Sequence, residues 1–463
     1  MKPDSDEFLR AARAAVEWIA AYLEDPRAFP VAPSIEPGAL ARALPPCAPE
    51  EGEPLETILE DFHRRILPAV THWNHPRFLG YFAISASGAG VLGELLAAAL
   101  NSNGMLWKTS PAGTELEQVT LGWLRRWLGL PDDFFGIIFD TASVSTFHAI
   151  AAARQQAAPE IREEGGGAGL TLYCSEQAHS SVDKAAIALG IGLRNVRKIP
   201  TDEQFRMRPE QLEAAIAEDR RSGRRPFCVV ATVGTTSTTS VDPVAAIAAI
   251  AGRHGLWVHV DAAYAGAAAI LPEYRHILAG AEHADSIVVN PHKWLLTPMD
   301  LSAFYTRRPE VLRAAFSLVP EYLRTEADAQ AVNYMDYSLP LGRRFRALKL
   351  WFVMRHFGRQ GIERVLRSHI EMAQELARRI DADPRFERVA PAPFSVVCFR
   401  LRGGDEANRR LLDEVNATGR AFLSHTVLDG RFVLRLAIGN LGTTMADVEE
   451  VWRLVEEKAA DLS

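Results

Sequence analysis

Three apolar segments in the middle of the chain, at residues 227–233, 256–261 and 286–289, have the length and composition of buried strands. A helical pattern rich in alanine and isoleucine, at 244–254, connects the first two segments. A crossover this short predicts two parallel strands joined by a right-handed connection. The chain is therefore expected to be an α/β protein built on a mostly parallel sheet.

A carboxylate and an amine follow two of these strands. Asp261 ends the second strand, and Lys293 lies just beyond the third. The carboxyl ends of strands form the edge at which open α/β sheets bind ligands. A lysine beside an apolar strand end is desolvated, which lowers its pKa and frees the amine to condense with an aldehyde. Taken singly, each residue also fits an ordinary position, as a surface lysine after a core strand or an aspartate that caps a helix.

The composition and charge narrow the classes of function. With 463 residues, the chain exceeds a single ordinary core and is expected to form two or three domains. A hydrophobic fraction of 48% and a charged fraction of 24% are typical of a soluble globular protein. The net charge of -7, from 51 basic and 58 acidic residues, offers no basic footprint for nucleic acid or an anionic membrane.

The cysteines and the absence of targeting patterns predict a cytoplasmic protein. Cys47, Cys174, Cys228 and Cys398 form no CxxC or zinc-ligand spacing, so free thiols in a reducing compartment are expected. The polar, acidic N-terminus lacks the order of a signal peptide, and no apolar run reaches the length of a membrane span. No metal site is predicted either, because His259 and His283 have no partner at metal-ligand spacing and no HExxH motif occurs.

The N-terminal part of the chain predicts two helices without a core of their own. Apolar residues recur at helical spacing over 8–23 and 55–70, separated by a proline-rich stretch at 26–54. This segment has too little apolar material to fold independently. Its apolar stripes must therefore pack on another surface.

Two further segments are candidates for binding phosphate. Residues 136–143 predict a strand and a turn before a helix that begins at about 144, and free backbone N–H groups at that start, with the hydroxyls of Thr141 and Ser143, suit a phosphate dianion. Simple N-capping of the helix is the alternative. The glycine pattern at 88–93 matches the dinucleotide motif GxGxxG, but no second strand with an acidic end follows it, so we interpret it as close helix packing.

Several longer motifs, in one order, resemble the group II decarboxylases that depend on pyridoxal 5′-phosphate (PLP), and most closely the aromatic L-amino-acid decarboxylases. The motifs are Gln-Ala-His-Ser-Ser at 177–181, His-Val-Asp-Ala-Ala-Tyr-Ala-Gly at 259–266, Asn-Pro-His-Lys-Trp-Leu-Leu at 290–296 and Pro-Leu-Gly-Arg-Arg-Phe-Arg at 340–346. The likeness runs from about Trp73 to residues 432–438. It implies the type I fold of PLP-dependent transferases, with an N-terminal helical segment that packs on the partner subunit (1–80), a large cofactor-binding domain (81–347) and a small α+β domain (348–463).

The resemblance also implies a set of site residues. Catalytic roles fall on Lys293, which holds the cofactor aldehyde, on Asp261 at the ring nitrogen, on His179 stacked on the ring, and on Tyr322 of a loop with few apolar anchors. The cofactor-binding residues that it implies are Thr141, Ala142, Ser143, His179, Thr236, Asp261, Ala263, Asn290, His292 and Lys293. The residues that it implies for the substrate are Trp73, Tyr81, Phe82, Ile84 and Met105.

Two positions depart from the animal enzymes of the resembled family. Ala83-Ile84 replaces a proline-threonine pair, a change that bears on substrate preference. Asp140 stands in place of a glycine, and because an anion beside a phosphate would repel it, the Asp140 side chain is expected to point elsewhere.

The function implied is α-decarboxylation of an L-amino acid, aromatic by resemblance, in a homodimer with active sites at the subunit interface. One alternative is an oxygen-consuming aldehyde synthase on the same fold. Enzymes of that type commonly carry phenylalanine at the loop tyrosine or asparagine at the stacking histidine, whereas this chain has Tyr322 and His179. A catalytically silent scaffold and a nucleotide-dependent enzyme are further alternatives. The retained Lys293 and Asp261 oppose the scaffold, and the absence of a Walker sequence opposes the nucleotide enzyme.

Overall fold

The computed structural model describes residues 5–82, 84–166, 169–318 and 331–462. Its helices are α1 (Ser5–Glu24), α2 (Ala39–Ala43), α3 (Leu55–Asp61), α4 (Gly88–Leu100), α5 (Pro111–Leu128), α6 (Ala142–Ala157), α7 (Ile161–Glu164), α8 (Ser181–Ala188), α9 (Pro209–Arg221), α10 (Val244–His254), α11 (Pro291–Trp294), α12 (Pro309–Phe316), α13 (Ala347–Ala382), α14 (Asp405–Ala417) and α15 (Met445–Ala460). Its strands are β1 (Phe135–Phe139), β2 (Leu170–Ser175), β3 (Val196–Ile199), β4 (Arg225–Thr232), β5 (Trp257–Asp261), β6 (Ser286–Val289), β7 (Ser302–Thr306), β8 (Phe386–Arg388), β9 (Val396–Leu401), β10 (Ser424–Leu428) and β11 (Arg431–Ala437).

A seven-stranded sheet with the order β1-β7-β6-β5-β4-β2-β3 forms the centre of the large domain. The neighbours from β6 to β3 pair in parallel, whereas β7 is antiparallel to both β1 and β6. The predicted strand–helix–strand unit is confirmed, because β4 and β5 are parallel neighbours connected by α10. The prediction of a mostly parallel α/β sheet is confirmed with it.

Both faces of this sheet are covered, as its sequence pattern requires. On β4, Val229 and Ala231 belong to one apolar cluster, while Cys228 and Val230 belong to the cluster on the opposite face. Alternate side chains of a strand point to opposite faces, so continuous apolar composition stabilises the strand only when helices lie on both sides. Helix α6 lies against β4, β5 and β6 and thereby brings its N-terminus to the edge of the sheet.

The N-terminal segment forms helices, as predicted, but the second helix is shorter than expected. Helix α3 ends at Asp61, and the chain continues as a π-helical turn to Ile66 and a 3-10 turn over Leu67–Ala69. Pro68 lies in that last turn and has no N–H to continue an α-helix. On α1, only Ala11 is buried.

The glycines of α4 allow close packing, as predicted. A Cβ atom at Gly93 would lie 2.6 Å from Cα of Lys349 on α13, and one at Gly90 would overlap the ring of Pro298. Only a residue without a side chain lets the two helix backbones approach this closely. This glycine pattern therefore serves helix packing.

The C-terminal part of the chain has its own sheet and core. The antiparallel order is β10-β11-β9-β8, and its apolar face packs against α13, α14 and α15 around Phe399 and Trp452. Asp447 of α15 ties the N-terminal segment to this part, because its carboxylate accepts hydrogen bonds from Arg27 at 2.7 Å and Arg77 at 3.2 Å. Within the described ranges, no helix has the length and apolar composition needed to cross a membrane.

Candidate active site

A pocket of about 150 Å³ lies at the carboxyl ends of the parallel strands, where ligands bind in folds of this kind. The turns after β1, β2, β4, β5 and β6 all contribute to it. Its lining consists of Phe82, Thr141, Ala142, Ser143, His179, Thr232, Gly234, Thr236, Asp261, Ala263, Tyr264, Asn290, His292 and Lys293. All ten residues that the resemblance implied for the cofactor therefore line one pocket.

Lys293 presents an amine to this pocket without a hydrogen-bonding partner. It lies in the short helix α11, and its Nζ is 5.1 Å from the centre of the Phe82 ring. No residue of the described ranges hydrogen-bonds to that Nζ. Burial lowers the pKa of Lys293, the charge of Asp261 opposes this effect, and the charge of Arg435 adds to it. The side chain is thus suited to hold an uncharged amine that can attack an aldehyde.

Asp261 is 6% exposed and lies at the last position of β5. One carboxylate oxygen, Oδ1, accepts the N–H of Ala263 at 3.1 Å, which fixes the side chain toward the turn. Its strand neighbours in register are Thr232 and Val288. A carboxylate in this position can hold a proton on a ring nitrogen.

Two histidines of the pocket are neutral, and backbone donors select their tautomers. His179 Nδ1 accepts the N–H of Ser181 at 3.1 Å, and burial lowers the pKa of His179. His292 Nδ1 accepts the N–H of Leu301 at 2.9 Å, while burial and the charge of Lys293 lower its pKa to about 3. In each neutral ring the proton is therefore on Nε2.

Hydrogen bonds behind the pocket fix Asn290. Its Oδ1 accepts the hydroxyl of Ser302 at 2.7 Å, and that hydroxyl lies 2.8 Å from the hydroxyl of Ser145 on α6. The chain from α6 to α11 thus holds the lysine helix against the sheet.

The N-terminus of α6 offers free donors to an anion. Thr141 occupies the N-cap with an extended backbone and makes no side-chain cap, so the N–H groups of Ala142 and Ser143 have no acceptor within the described ranges. Such N–H groups and the helix dipole favour phosphate. Asp140 is absent from the lining, and its Oδ1 accepts the Thr141 N–H at 2.9 Å.

One wall of the pocket is aromatic. The rings of Phe82 and Tyr264 stack at 3.9 Å, and Tyr264 stacks in turn on Trp294 at 4.8 Å. The Tyr264 hydroxyl contacts the Ser395 hydroxyl, which ties the stack to the C-terminal part of the chain. This wall therefore has little freedom to move.

Of the residues implied for the substrate, only Phe82 lines the pocket. Trp73 packs on Phe78 with ring centres 4.2 Å apart, Tyr81 is 54% exposed, and Met105 packs with Leu106 and Met335. Ile84 is half-buried outside the lining. Tyr322 lies outside the described residues.

Sequence reasoning missed four residues at or beside the pocket: Thr232, Gly234, Tyr264 and Arg435. Thr232 carries a buried hydroxyl with no hydrogen-bonding partner. Gly234 has a φ of 90°, and a Cβ there would lie 2.5 Å from Cβ of Ala265, so only glycine allows this turn. The sequence gives a sign of Gly234, because a glycine directly after a strand indicates a tight turn. No local pattern marks Arg435.

The pocket suits a group with an aldehyde, a ring nitrogen and a phosphate. Lys293, Asp261 and the N-terminus of α6 supply an amine, a carboxylate and free N–H groups in one cavity, and the unpartnered hydroxyl of Thr232 is available to a bound molecule. The residues of the pocket therefore fit PLP.

Comparisons with known proteins agree with this chemistry. The model of a family described as the pyridoxal-dependent decarboxylase conserved domain matches residues 37–402. The chain is 42% identical to the phenylacetaldehyde synthase of Arabidopsis thaliana, an alignment that covers 100% of this chain and 98% of the relative. It is 41% identical to the aromatic-L-amino-acid decarboxylase of Bos taurus, over 99% of this chain and 97% of that protein. A crystal structure of Oryza sativa TDC with PLP and tryptamine matches with a TM-score of 0.97 and 37% identity, and covers 100% of this chain and 99% of that one.

Proposed function

This chain belongs to the pyridoxal-dependent decarboxylase family, and from that premise we propose that it removes the α-carboxyl group of an aromatic L-amino acid as CO2 and releases the amine. It is a PLP-dependent carboxy-lyase. The aromatic class is supported by relatives named aromatic-L-amino-acid decarboxylase and phenylacetaldehyde synthase and by the aromatic wall of Phe82, Tyr264 and Trp294.

Different residues of the pocket would bind different parts of PLP. When bound, PLP supplies an aldehyde for amines and an electron-poor ring that accepts the electrons left by the departing carboxyl group. Lys293 would attach the aldehyde, Asp261 would keep a proton on the ring nitrogen, and the N–H groups of Ala142 and Ser143 would hold the phosphate. Thr141, Thr236, Ala263, Asn290 and His292 shape the rest of the cofactor site.

His179 and Phe82 would restrict how a substrate lies in the pocket. The ring of His179 would cover the cofactor, and the hydrogen bond that Nδ1 accepts from Ser181 fixes the ring orientation. Substrate orientation decides which bond at the α-carbon breaks. A rigid wall and a fixed imidazole would therefore favour a single orientation of the substrate.

The observation that carries the proposal is the desolvated amine of Lys293 in one pocket with Asp261 and the free N-terminus of α6. The direct test is to incubate the purified protein with PLP and each common amino acid in turn, and to measure CO2 and amine. We expect stoichiometric CO2 and amine from one or more aromatic amino acids. Turnover of non-aromatic amino acids alone would remove the aromatic assignment.

The aldehyde synthase is the second candidate, because a relative that is 42% identical carries that name. We propose that Tyr322, which lies outside the described residues, returns a proton to the α-carbon and so directs the product to the amine. Tyr322→Phe should divert much of the product to the aldehyde and ammonia, with consumption of O2. Amine yield, aldehyde yield and O2 uptake measure this change, and an unaltered amine yield would exclude Tyr322 from proton transfer.

We also propose that the chain forms a homodimer with active sites at the subunit interface. Helix α4 exposes four leucines, α1 exposes further apolar residues, and Tyr81 beside the pocket is exposed as well; the exposed side chains include Phe8, Leu9, Val16, Leu92, Leu95, Leu96 and Leu100. Apolar patches of this kind mark protein interfaces.

Sedimentation at equilibrium should give twice the mass of the chain for the wild type. The double variant Leu95→Asp, Leu96→Asp should sediment as a monomer, since a charge buried without a partner disfavours the interface. Val427→Asp is the matched control, because Val427 is similarly exposed, at 56%, on the C-terminal sheet. A wild-type monomer would contradict the proposal.

We also propose a cytoplasmic location and a division into three domains. The four cysteines are free thiols, and three of them are buried, which supports a location in the reducing cytoplasm. Recovery of the protein in a membrane or secreted fraction would oppose this location.

The division into domains 1–80, 81–347 and 348–463 is supported by the central sheet, which lies within 135–306, and by α13, which begins at Ala347. Limited proteolysis that cuts only within these segments would argue against those boundaries.

A further inference from the structure

Arg435 carries a buried positive charge without an acidic partner. It lies on β11, is 3% exposed, and forms no ion pair with any acid of the described ranges. Its Nη2 is buried without a hydrogen-bonding partner. An unpaired buried guanidinium destabilises a fold, so a charge that remains in such a place points to a function.

The guanidinium joins three separate parts of the chain beside the pocket. Its Nε donates to the carbonyl of Ser237 at 3.0 Å, one residue beyond the pocket residue Thr236. Its Nη1 donates to the carbonyl of Tyr81, whose N–H is held by Ser424, the cross-strand neighbour of Arg435. Tyr81 has a φ of 54°, a strained conformation that these two side chains stabilise.

A guanidinium and an amine lie against one aromatic ring. Cζ of Arg435 is 4.5 Å from the centre of the Phe82 ring, and Nζ of Lys293 is 5.1 Å from the same centre. The contact of the guanidinium with the ring is a favourable cation–π contact. A nearby positive charge opposes protonation of an amine, and the charge of Arg435 lowers the pKa of Lys293, after the larger effects of burial and of Asp261.

The other ionisable groups around Arg435 and Lys293 either favour the protonated amine or are uncharged. Asp261 favours the protonated form of Lys293, because its charge raises the pKa of the amine. His179 and His292 are neutral, since burial lowers the pKa of both. On the side of Arg435, burial raises the pKa of Tyr264 far above its ordinary value and that of Cys398 to about 11, so both are uncharged at neutral pH. Arg435 is thus the permanent cation that faces Lys293.

We propose that Arg435 is a positioning residue whose fixed charge opposes that of Asp261 at Lys293 and so favours the uncharged amine that captures the cofactor aldehyde. The hydrogen bonds of its guanidinium hold the backbone of Tyr81 and Ser237, but its charge is what acts on Lys293. This inference rests on the proposed function in so far as Lys293 is the residue that captures PLP.

The test follows cofactor capture by the apoprotein and needs no substrate. The rate at which visible absorbance appears after addition of PLP is measured between pH 6 and 10, and its midpoint reports the ionisation of the capturing amine. We expect Arg435→Gln to move this midpoint upward, which slows capture below the midpoint and leaves the rate at high pH unchanged.

Two variants separate charge from structure. Arg435→Lys keeps the charge and should leave the midpoint close to that of the wild type. Ser424→Ala removes the other hydrogen bond to Tyr81, keeps the charge, and should also leave the midpoint in place. An equal shift in Arg435→Gln and Arg435→Lys, or no shift in Arg435→Gln, would overturn the inference.

A further variant covers the case in which Arg435→Gln does not fold. Cys398→Asp introduces a carboxylate beside the guanidinium, since Cys398 Sγ and Arg435 Nε both contact the carbonyl of Ser237. The midpoint should again rise, and an unchanged midpoint counts against the inference. A wild-type apoprotein that captures no PLP would overturn the proposed function, whereas capture with one midpoint in every variant would overturn this inference alone.

Discussion

Lys293→Ala is expected to lower kcat by at least about a thousandfold, equivalent to roughly 4 kcal/mol of transition-state stabilisation, and to remove the visible absorbance of the purified protein. The physical reason is that Lys293 alone presents an unpartnered, desolvated amine to the pocket. Alanine cannot attach the aldehyde, so PLP would be held only by its phosphate and ring contacts.

Absorbance spectra before and after dialysis, together with CO2 release, measure the effect of this change. Lys458→Ala is the matched control, because Lys458 lies on α15 at the surface of the C-terminal part, beside Glu457 and Asp461. It should keep both the absorbance and the rate. Wild-type absorbance in Lys293→Ala would mean that another amine captures the cofactor.

Asp261→Asn is expected to lower kcat by about a hundred- to a thousandfold while PLP stays bound. Asparagine has nearly the same shape and can still accept the N–H of Ala263, so the turn after β5 should persist. It has no charge with which to keep a proton on the ring nitrogen. The ring would then accept electrons poorly at the moment when the carboxyl group departs.

Asp261→Asn should also shift the midpoint of PLP capture, in the direction opposite to the shift caused by Arg435→Gln. Because the charge of Asp261 raises the pKa of Lys293, its removal should move the midpoint of PLP capture downward, whereas Arg435→Gln should move it upward. Asp261→Glu keeps the charge and should lie between the wild type and Asp261→Asn in kcat. Wild-type kcat in Asp261→Asn would exclude an electrostatic role for this carboxylate.

The central sheet was predictable because its pattern is local. Apolar runs such as 227–233 and 256–261 need helices on both faces, and a short helical crossover between them permits one connection. The same logic predicted Asp261 and Lys293 on one edge, since both follow strands of that sheet. The limit of α3 at Asp61 was less predictable, because π and 3-10 turns continue the same apolar spacing up to Pro68.

The surroundings of the site depended on contacts between distant segments. Met105 packs with Met335, which lies far along the chain, and no motif indicates this contact. Tyr264 stood inside a quoted motif, but only its ring contacts with Phe82 and Trp294 reveal it as a wall of the pocket. Spacing within a motif indicates which residues are near each other in sequence and carries no information about which strand will lie opposite.

The sequence by itself determined the placement of the lysine and the aspartate, because the ends of apolar strands are set by the local hydrophobic pattern and by the direction of parallel strands. Its motifs indicated the chemistry through their resemblance to a known family. Only the tertiary structure decided the electrostatics of that lysine. The guanidinium of Arg435 reaches the ring of Phe82 because β11 pairs with β9 and β10 and the resulting sheet packs beside the pocket. A charge acts through space over a few ångströms, and long-range pairing of strands brings residues so remote in sequence within that distance.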